Sequence, residues 1–168
     1  NSGLPINDCR AYYYYKKADA PYALPYIAYR IGRDFYTDSK EAYYDGADIK
    51  SLKKLDPIFT VDSNHYVDAF KWFKIAYQDA ARLADHSVFD DTKYDETLYW
   101  LAHMYETGTG TTKNHNKAIE YFEYLFQYNL SKNPPVLDEY TFEALDALSE
   151  EFKRQNQPEE DIEDYYLI

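Results

Sequence analysis

Apolar residues recur along this chain with the spacing of α-helices. The clearest stripe follows the pattern i, i+3, i+4, i+7 and consists of Leu98, Leu101, Ala102 and Tyr105. A Thr92–Asp95 capping box precedes it, and Gly108 ends the predicted helix in a Thr-Gly-Thr-Gly turn. A second stripe follows Asn114, a good N-cap residue, and consists of Ala118, Tyr121, Phe122 and Leu125. The two segments predict an antiparallel helical hairpin.

An earlier part of the chain repeats this pair of stripes. Its first stripe consists of Leu24, Ile27, Ala28, Ile31 and Phe35. Its second stripe consists of Ala69, Trp72, Phe73, Ala76 and Leu83. Because one helical hairpin cannot bury its apolar face alone, repeated hairpins stack and bury that face against each other. The pattern therefore predicts an all-α fold, a short α-solenoid of antiparallel helix pairs with flanking terminal helices.

The second copy of this hairpin carries a recognisable order of residues. Leu101-Ala102, Tyr105, Gly108-Thr109-Gly110, Asn114, Lys117-Ala118 and Tyr121 follow one another. This stretch resembles a Sel1-like repeat, a relative of the tetratricopeptide repeat, with Ala102 in place of a glycine and Asn114 in place of an aspartate. The earlier copy resembles the same repeat through Ile31-Gly32, Phe35, His65, Asp68-Ala69, Trp72 and Ala76.

The earlier copy differs from the later one in its turn. Phe35 and Ala69 lie 34 positions apart, whereas the corresponding Tyr105 and Ala118 lie 13 apart, so the first copy contains 21 extra residues. This insertion lies near 37–61 and has no Gly-x-Gly turn. Its content of charged residues and glycine predicts an exposed and mobile segment.

The whole chain is interpreted as a single helical-repeat domain, 1–168. Its predicted parts are a first repeat over 21–66 and 67–91 with the insertion near 37–61, a second repeat over 92–130, a terminal helix over 135–157 and an acidic tail over 158–168. Asp138 is a suitable N-cap for the terminal helix. Leu145, Leu148 and Phe152 are expected to face inward and to cover the last repeat.

Charge and aromatic content narrow the class of partner. The chain has 30 acidic and 18 basic residues, and its net charge of -12 opposes binding to nucleic acid or to an anionic membrane surface. A basic protein partner is favoured, although the same charge would also keep the protein in solution. The 21 tyrosines exceed what a core needs, so some of them are expected to mark a contact surface.

No catalytic or cofactor motif is found. The four histidines form no pair at metal-ligand spacing, and the single cysteine cannot form an intrachain disulfide. There is no Gly-x-Ser-x-Gly elbow, phosphate-binding loop or apolar run long enough to cross a bilayer. We therefore expect no cofactor, no metal, no enzyme activity and no membrane insertion. The compartment stays open between the cytoplasm and the periplasm of a bacterium.

The resemblance implies where a partner would bind. In such solenoids the first helix of each pair lines the concave surface, so its non-core positions are the expected contact residues. They are Tyr26, Tyr29, Arg30, Arg33, Tyr99, His103 and Glu106. Tyr29 and Tyr99 have an alternative role, which is to pack between repeats.

The functional hypothesis is a non-catalytic protein–protein interaction module. A sharper version, which the resemblance also implies, is a bacterial immunity-type inhibitor that covers a basic toxic effector. The alternative is a ligand-binding protein or an enzyme that uses the insertion at 37–61.

Overall fold

Seven α-helices account for most of the part of the chain that the computed structural model describes, residues 7–38, 46–83 and 93–156. They are α1 (Asp8–Lys17), α2 (Leu24–Tyr36), α3 (Gly46–Leu55), α4 (His65–Ala81), α5 (Tyr94–Thr107), α6 (His115–Ser131) and α7 (Glu139–Gln155). Short 3-10 turns lie at Pro21–Ala23 and Pro57–Phe59. These described ranges contain no β-strand, which confirms the all-α prediction.

Side-chain caps explain where several helices begin. Asn114 accepts a hydrogen bond from the backbone N–H of Lys117 at 3.0 Å, and Asp138 accepts one from Thr141 at 2.9 Å. Both residues were expected to be N-caps, and the structure confirms them. The predicted Thr92–Asp95 box is not the start of α5, since α5 begins after Lys93 in a left-handed conformation, and Thr92 lies outside the described residues.

The helices pack as successive antiparallel pairs. Helix α2 packs on α4, and α5 packs on α6, while α1 packs on α2 and α7 packs on α6. The core between them is apolar, with Ile31, Trp72, Phe73, Leu98, Leu101, Met104 and Leu125 almost fully buried. The stripes predicted from the sequence therefore face inward, and the α-solenoid of helix pairs is confirmed.

The insertion contains a packed element where an exposed, mobile segment was expected. Helix α3 and the turn after it place Ile49, Leu52 and Phe59 in the core. The ring of Phe59 lies 5.7 Å from that of Trp72 and 6.5 Å from that of Tyr12. The expected exposure is thus wrong for Ile49, Leu52 and Phe59, because three apolar side chains among many charged ones suffice to dock a short helix, whereas residues 50, 51, 53–55 and 57 are exposed as expected. Residues 39–45 lie outside the described residues.

Helix α7 turns inward a face that agrees only in part with the predicted one. Leu148 packs partly buried against the core as expected, but Leu145 is 40% exposed and Phe152 is 68% exposed, whereas Thr141, Ala144 and Glu151 are buried. The reason is polar pairing with α6, in which Asn129 donates a hydrogen bond to the Thr141 hydroxyl at 2.9 Å. Because Thr141 and Glu151 both find hydrogen-bond partners on α6, burying this mostly polar face is more favourable than leaving those partners unpaired.

The Gly-x-Gly turn between α5 and α6 lies against the backbone of α4, and its two glycines test how close this contact is. Gly108 and Gly110 have nearly equal positive φ angles, 69° and 70°. An added Cβ at Gly110 would overlap the backbone carbonyl of Tyr66, whereas at Gly108 it would meet the Lys113 Cβ at 3.1 Å.

We predict that Gly108→Ala lowers the free energy of unfolding by about 1–2 kcal/mol, the cost of the left-handed conformation alone. Gly110→Ala should cost about 3 kcal/mol or more, because the clash with fixed backbone adds to the same conformational cost. Urea unfolding of the two variants checks this. Equal losses would show that α4 does not approach the turn as closely as described.

Candidate functional site

A depression of about 290 Å³ lies along the outer side of α2. Its lining consists of Tyr26, Tyr29, Arg30, Arg33, Asp34 and Thr37. Tyr26, Arg30 and Arg33 lie there because the apolar stripe of α2 packs against α4, which leaves the other side of the helix open. The structure thus brings together the four site residues that were predicted on this helix.

The two arginines of the depression are held differently. The Arg30 Nε lies 3.2 Å from the Asp8 Oδ2, and its guanidinium carbon lies 5.8 Å from the centre of the Tyr26 ring. The guanidinium of Arg33 lies 6.0 Å from the centre of the Tyr29 ring and has no ion pair within the described residues. Arg30 is therefore fixed by a nearly buried carboxylate, whereas Arg33 is held beside the Tyr29 side chain and near Asp34.

Tyr29 does not point outward as the sequence analysis expected. Its side chain is only 2% exposed, and its ring lies 6.0 Å from that of Phe73. Its hydroxyl donates a hydrogen bond to Glu96 on α5, and burial followed by this bond raises the pKa of Tyr29. Tyr29 therefore links the first helices of two successive repeats, which was its alternative role, and it forms the floor of the depression.

Asp34 is a half-buried carboxyl beside the two arginines. Burial and then the negative charge of Asp8 raise the pKa of Asp34 to about 6, although the charges of Arg30 and Arg33 oppose the rise. An acid that loses its proton only near this pH changes the charge of the depression between mildly acidic and neutral conditions.

Tyr99 and His103 lie on α5, next to the depression. Their rings are nearly parallel with centres 6.0 Å apart, and the Tyr99 ring lies 4.9 Å from that of Tyr140 on α7. Between α2 and α5, the Tyr36 ring lies 4.5 Å from that of Trp100. An aromatic row therefore connects the first helices α2, α5 and α7. We call the surface formed by this row and the depression the groove; it consists of Tyr26, Tyr29, Arg30, Arg33, Tyr36, Tyr99, Trp100, His103 and Tyr140. Tyr140 was missed because α7 had not been aligned with the repeat.

Glu106 lies away from the groove, in a second cavity of about 520 Å³ between α6 and α7. Its Oε2 lies 2.8 Å from the Nδ1 of His115, and the Nε2 of His115 lies 2.8 Å from the Oε2 of Glu151. The apolar wall of this cavity is formed by Ile119, Phe122 and Ala147. Sequence spacing gives no signal for His115, because its two carboxylate partners come from other helices.

The contacts of His115 favour its charged form. Hydrogen bonds to Glu151 and then to Glu106 raise the pKa of His115. Arg154 and then His115 lower the pKa of Glu151 to about 2. A neutral imidazole has only one N–H, so both contacts are satisfied as donations only when the ring is protonated.

The described residues offer little for metal or thiol chemistry. No group of three or more metal-ligand side chains is found among them, and Cys9 is buried with its pKa raised by burial to about 12. The helices in the described ranges also include none that is long and apolar enough to cross a membrane.

Comparison with known proteins identifies one family. The Sel1 repeat model matches residues 2–18, 60–79 and 95–124. The described parts of these matches fall on α1, on α4 and on α5 with the first half of α6. No curated protein and no solved structure matches the chain.

The raised pKa of Asp34 predicts a pH-dependent stability. Since its folded-state pKa lies above the ordinary value, its contribution is present below about pH 4 and is lost as the pH rises through about 6. Asp34→Asn should therefore raise the free energy of unfolding by about 1 kcal/mol at pH 7.5 and change it little at pH 4, after allowance for partial exposure. Urea unfolding at both pH values measures this, with exposed Asp146→Asn as the control. A gain of the same size at both pH values would contradict the assignment.

The bridge of His115 between Glu106 and Glu151 predicts a loss of stability in a higher pH range. Because its folded-state pKa is raised, the stability that it contributes is complete at pH 6 and is lost as the pH rises through that raised value. His115→Gln should be less stable than the parent at pH 6, and the gap should close by about pH 9. His103→Gln is the matched control, since His103 stacks on Tyr99 and has no carboxylate hydrogen bond within the described residues. A gap that stays constant with pH would argue against a charged His115.

Proposed function

This chain is a Sel1-like repeat protein, and we propose that it binds another protein through the groove formed by α2, α5 and α7. Sel1 repeats mediate protein–protein interactions and are not catalytic. The proposal extends this property to the whole chain, which we expect to act without cofactor or enzymatic chemistry.

The observation that carries this proposal is the depression on α2. Four residues chosen for their repeat positions line it together, and two of them are arginines, each held beside a tyrosine ring. Tyrosine and arginine are the residues that most often anchor protein interfaces. Buried Tyr29 keeps α2 and α5 in register, so the groove is already formed before a partner arrives.

Charge suggests two different requirements for the partner. The net charge of -12 acts over a distance and favours approach of a basic protein. At short range, Arg33 and its neighbouring tyrosines favour an acidic or polar group of that partner. A basic effector or toxin that presents one acidic or carbonyl-rich loop fits both requirements. We propose an immunity-type inhibitor as the finer function, and the acidity of the chain is its support.

The competing hypothesis places a ligand site in the insertion at 37–61. In its favour, Arg10, Tyr13 and Tyr14 of α1 and Ser51, Leu52 and Leu55 of α3 line a cavity of about 330 Å³. A saturable rise in melting temperature with a small molecule, abolished by Ser51→Trp, would favour this alternative.

Groove binding is tested with Tyr26→Ala/Arg33→Ala. Both residues are exposed, so the melting temperature should change little, whereas affinity for the partner should fall at least tenfold, about 1.4 kcal/mol or more. The partner is first captured on the immobilised parent chain from native lysate at low and high salt, identified and purified. Calorimetric titration then gives the affinities.

The control for this test is Tyr15→Ala/Lys54→Ala, which removes an exposed tyrosine and a cation outside the groove. Its affinity should equal that of the parent. Unchanged affinity of the groove variant would place the contact elsewhere. For the immunity role, co-expression with the captured partner should restore growth that the partner alone stops, and the groove variant should restore less.

A further inference from the structure

Helix α7 has an outer face that no described residue covers. Each earlier first helix packs against a second helix, α2 against α4 and α5 against α6. Helix α7 is the first helix of a third pair, and the described part of the chain contains no second helix for it. The side of α7 on which such a second helix would lie is therefore not covered by any described residue.

The open face carries an apolar row. Phe142 is 53% exposed, Leu145 is 40% exposed and Phe152 is 68% exposed. With Ser149 between them, these residues stand at i, i+3, i+7 and i+10, so they lie along one side of the helix. We call Phe142, Leu145, Ser149 and Phe152 the outer stripe. Such spacing is what one helix presents to another, whereas isolated exposed apolar residues would need no explanation.

Acidic residues border the outer stripe. Glu139 precedes Phe142 by three positions and Asp146 follows it by four, so both carboxylates neighbour the stripe on the helix surface. Both are exposed, and neither has an ion pair within the described ranges. Glu150 is also exposed, with Lys153 at 2.9 Å. The open face therefore combines an apolar row with two carboxylates that have no ion pair in the described ranges, Glu139 and Asp146, and with one Glu150–Lys153 ion pair.

We propose that the outer stripe binds a basic amphipathic helix of another protein, which takes the place of the second helix of the third pair. Its apolar side covers Phe142, Leu145 and Phe152, and its lysines or arginines pair with Glu139 and Asp146. This surface is separate from the groove, since Tyr140 faces α5 while Phe142 points away from it. The inference thus does not rest on the groove.

Charge argues against two other occupants. A second copy of this chain would bring a molecule of net charge -12 and the same acidic border against this face. The tail at 158–168, which lies outside the described residues, contains five acidic residues in positions 159–164. Either occupant would place carboxylates beside Glu139 and Asp146, whereas a basic helix neutralises them.

The test uses a synthetic 18-residue helix with leucines on one side and lysines on the other, labelled for fluorescence anisotropy. The full-length parent should bind it saturably, and more weakly at high salt. Phe142→Ser/Phe152→Ser should weaken binding at least tenfold. Glu139→Gln/Asp146→Asn should weaken it at least threefold and reduce its dependence on salt. Leu55→Ser, at a residue 63% exposed on α3, should leave binding unchanged.

Specificity for the proposed occupant is tested with two further peptides and one further variant. Peptides with glutamates in place of the lysines, or with the leucines scattered, should not bind. The Tyr26→Ala/Arg33→Ala groove variant should bind the probe like the parent, so a failure of the groove proposal and a failure of this one are distinguishable.

Three results would overturn the inference. The first is probe binding that Phe142→Ser/Phe152→Ser leaves unchanged. The second is a dimer in sedimentation that this variant dissolves, because a second copy would then be the occupant. The third is a tenfold gain in probe affinity when the four apolar residues at 165–168 of the full chain are replaced by serine, because the tail would then cover the stripe.

Discussion

Close approach between helices at residues with little or no side chain is the constraint on which the rest of this structure depends. An added Cβ at Gly32 would lie 2.9 Å from the ring of Phe73, so α2 can pack against α4 only if that position lacks a side chain. Ala102 and Ala118 play the same part between α5 and α6, where both are completely buried. Because the helices approach so closely, the large residues beside them are buried between the helices, and each pair presents a defined surface to the next.

Tyrosine completes this packing at the edges of the core. The Tyr12 hydroxyl donates a hydrogen bond to buried Asp79 at 2.6 Å, and its ring lies 5.1 Å from that of Trp72. Tyr29 joins α2 to α5 in a similar way through Glu96. Each ring fills space between two helices, while its hydroxyl donates to a carboxylate that also has a cation nearby, Arg82 beside Asp79 and Lys93 beside Glu96. Many of the tyrosines therefore hold helices together, and a smaller share is exposed at positions such as Tyr14 and Tyr22.

Sequence alone predicted the repeats because their signal is periodic and local. Leu98, Leu101 and Ala102 lie on one side of a helix by spacing alone, and that side is buried. The grouping of Tyr26, Arg30 and Arg33 followed from the same register. Spacing could not reveal that Phe59 reaches Trp72, or that Tyr29 turns inward, because those outcomes depend on contacts between residues far apart in the chain.

The inward face of α7 was also mispredicted in part because it depends on contacts between distant residues, and here those contacts are polar. Leu145 and Phe152 lie outside because Thr141 and Glu151 find partners in Asn129 and His115. Asn129 also has a buried side-chain oxygen without a hydrogen-bond partner among the described residues, which is a cost at this contact. Polar contacts of this kind yield less net stability than the apolar packing of α2 on α4, so α7 should separate from α6 at a lower free energy than α2 separates from α4. Both proposed surfaces involve α7, the groove through Tyr140 and the outer stripe through Phe142. A partner on either surface would therefore also stabilise the docking of this helix, because it would bind α7 only in its packed position.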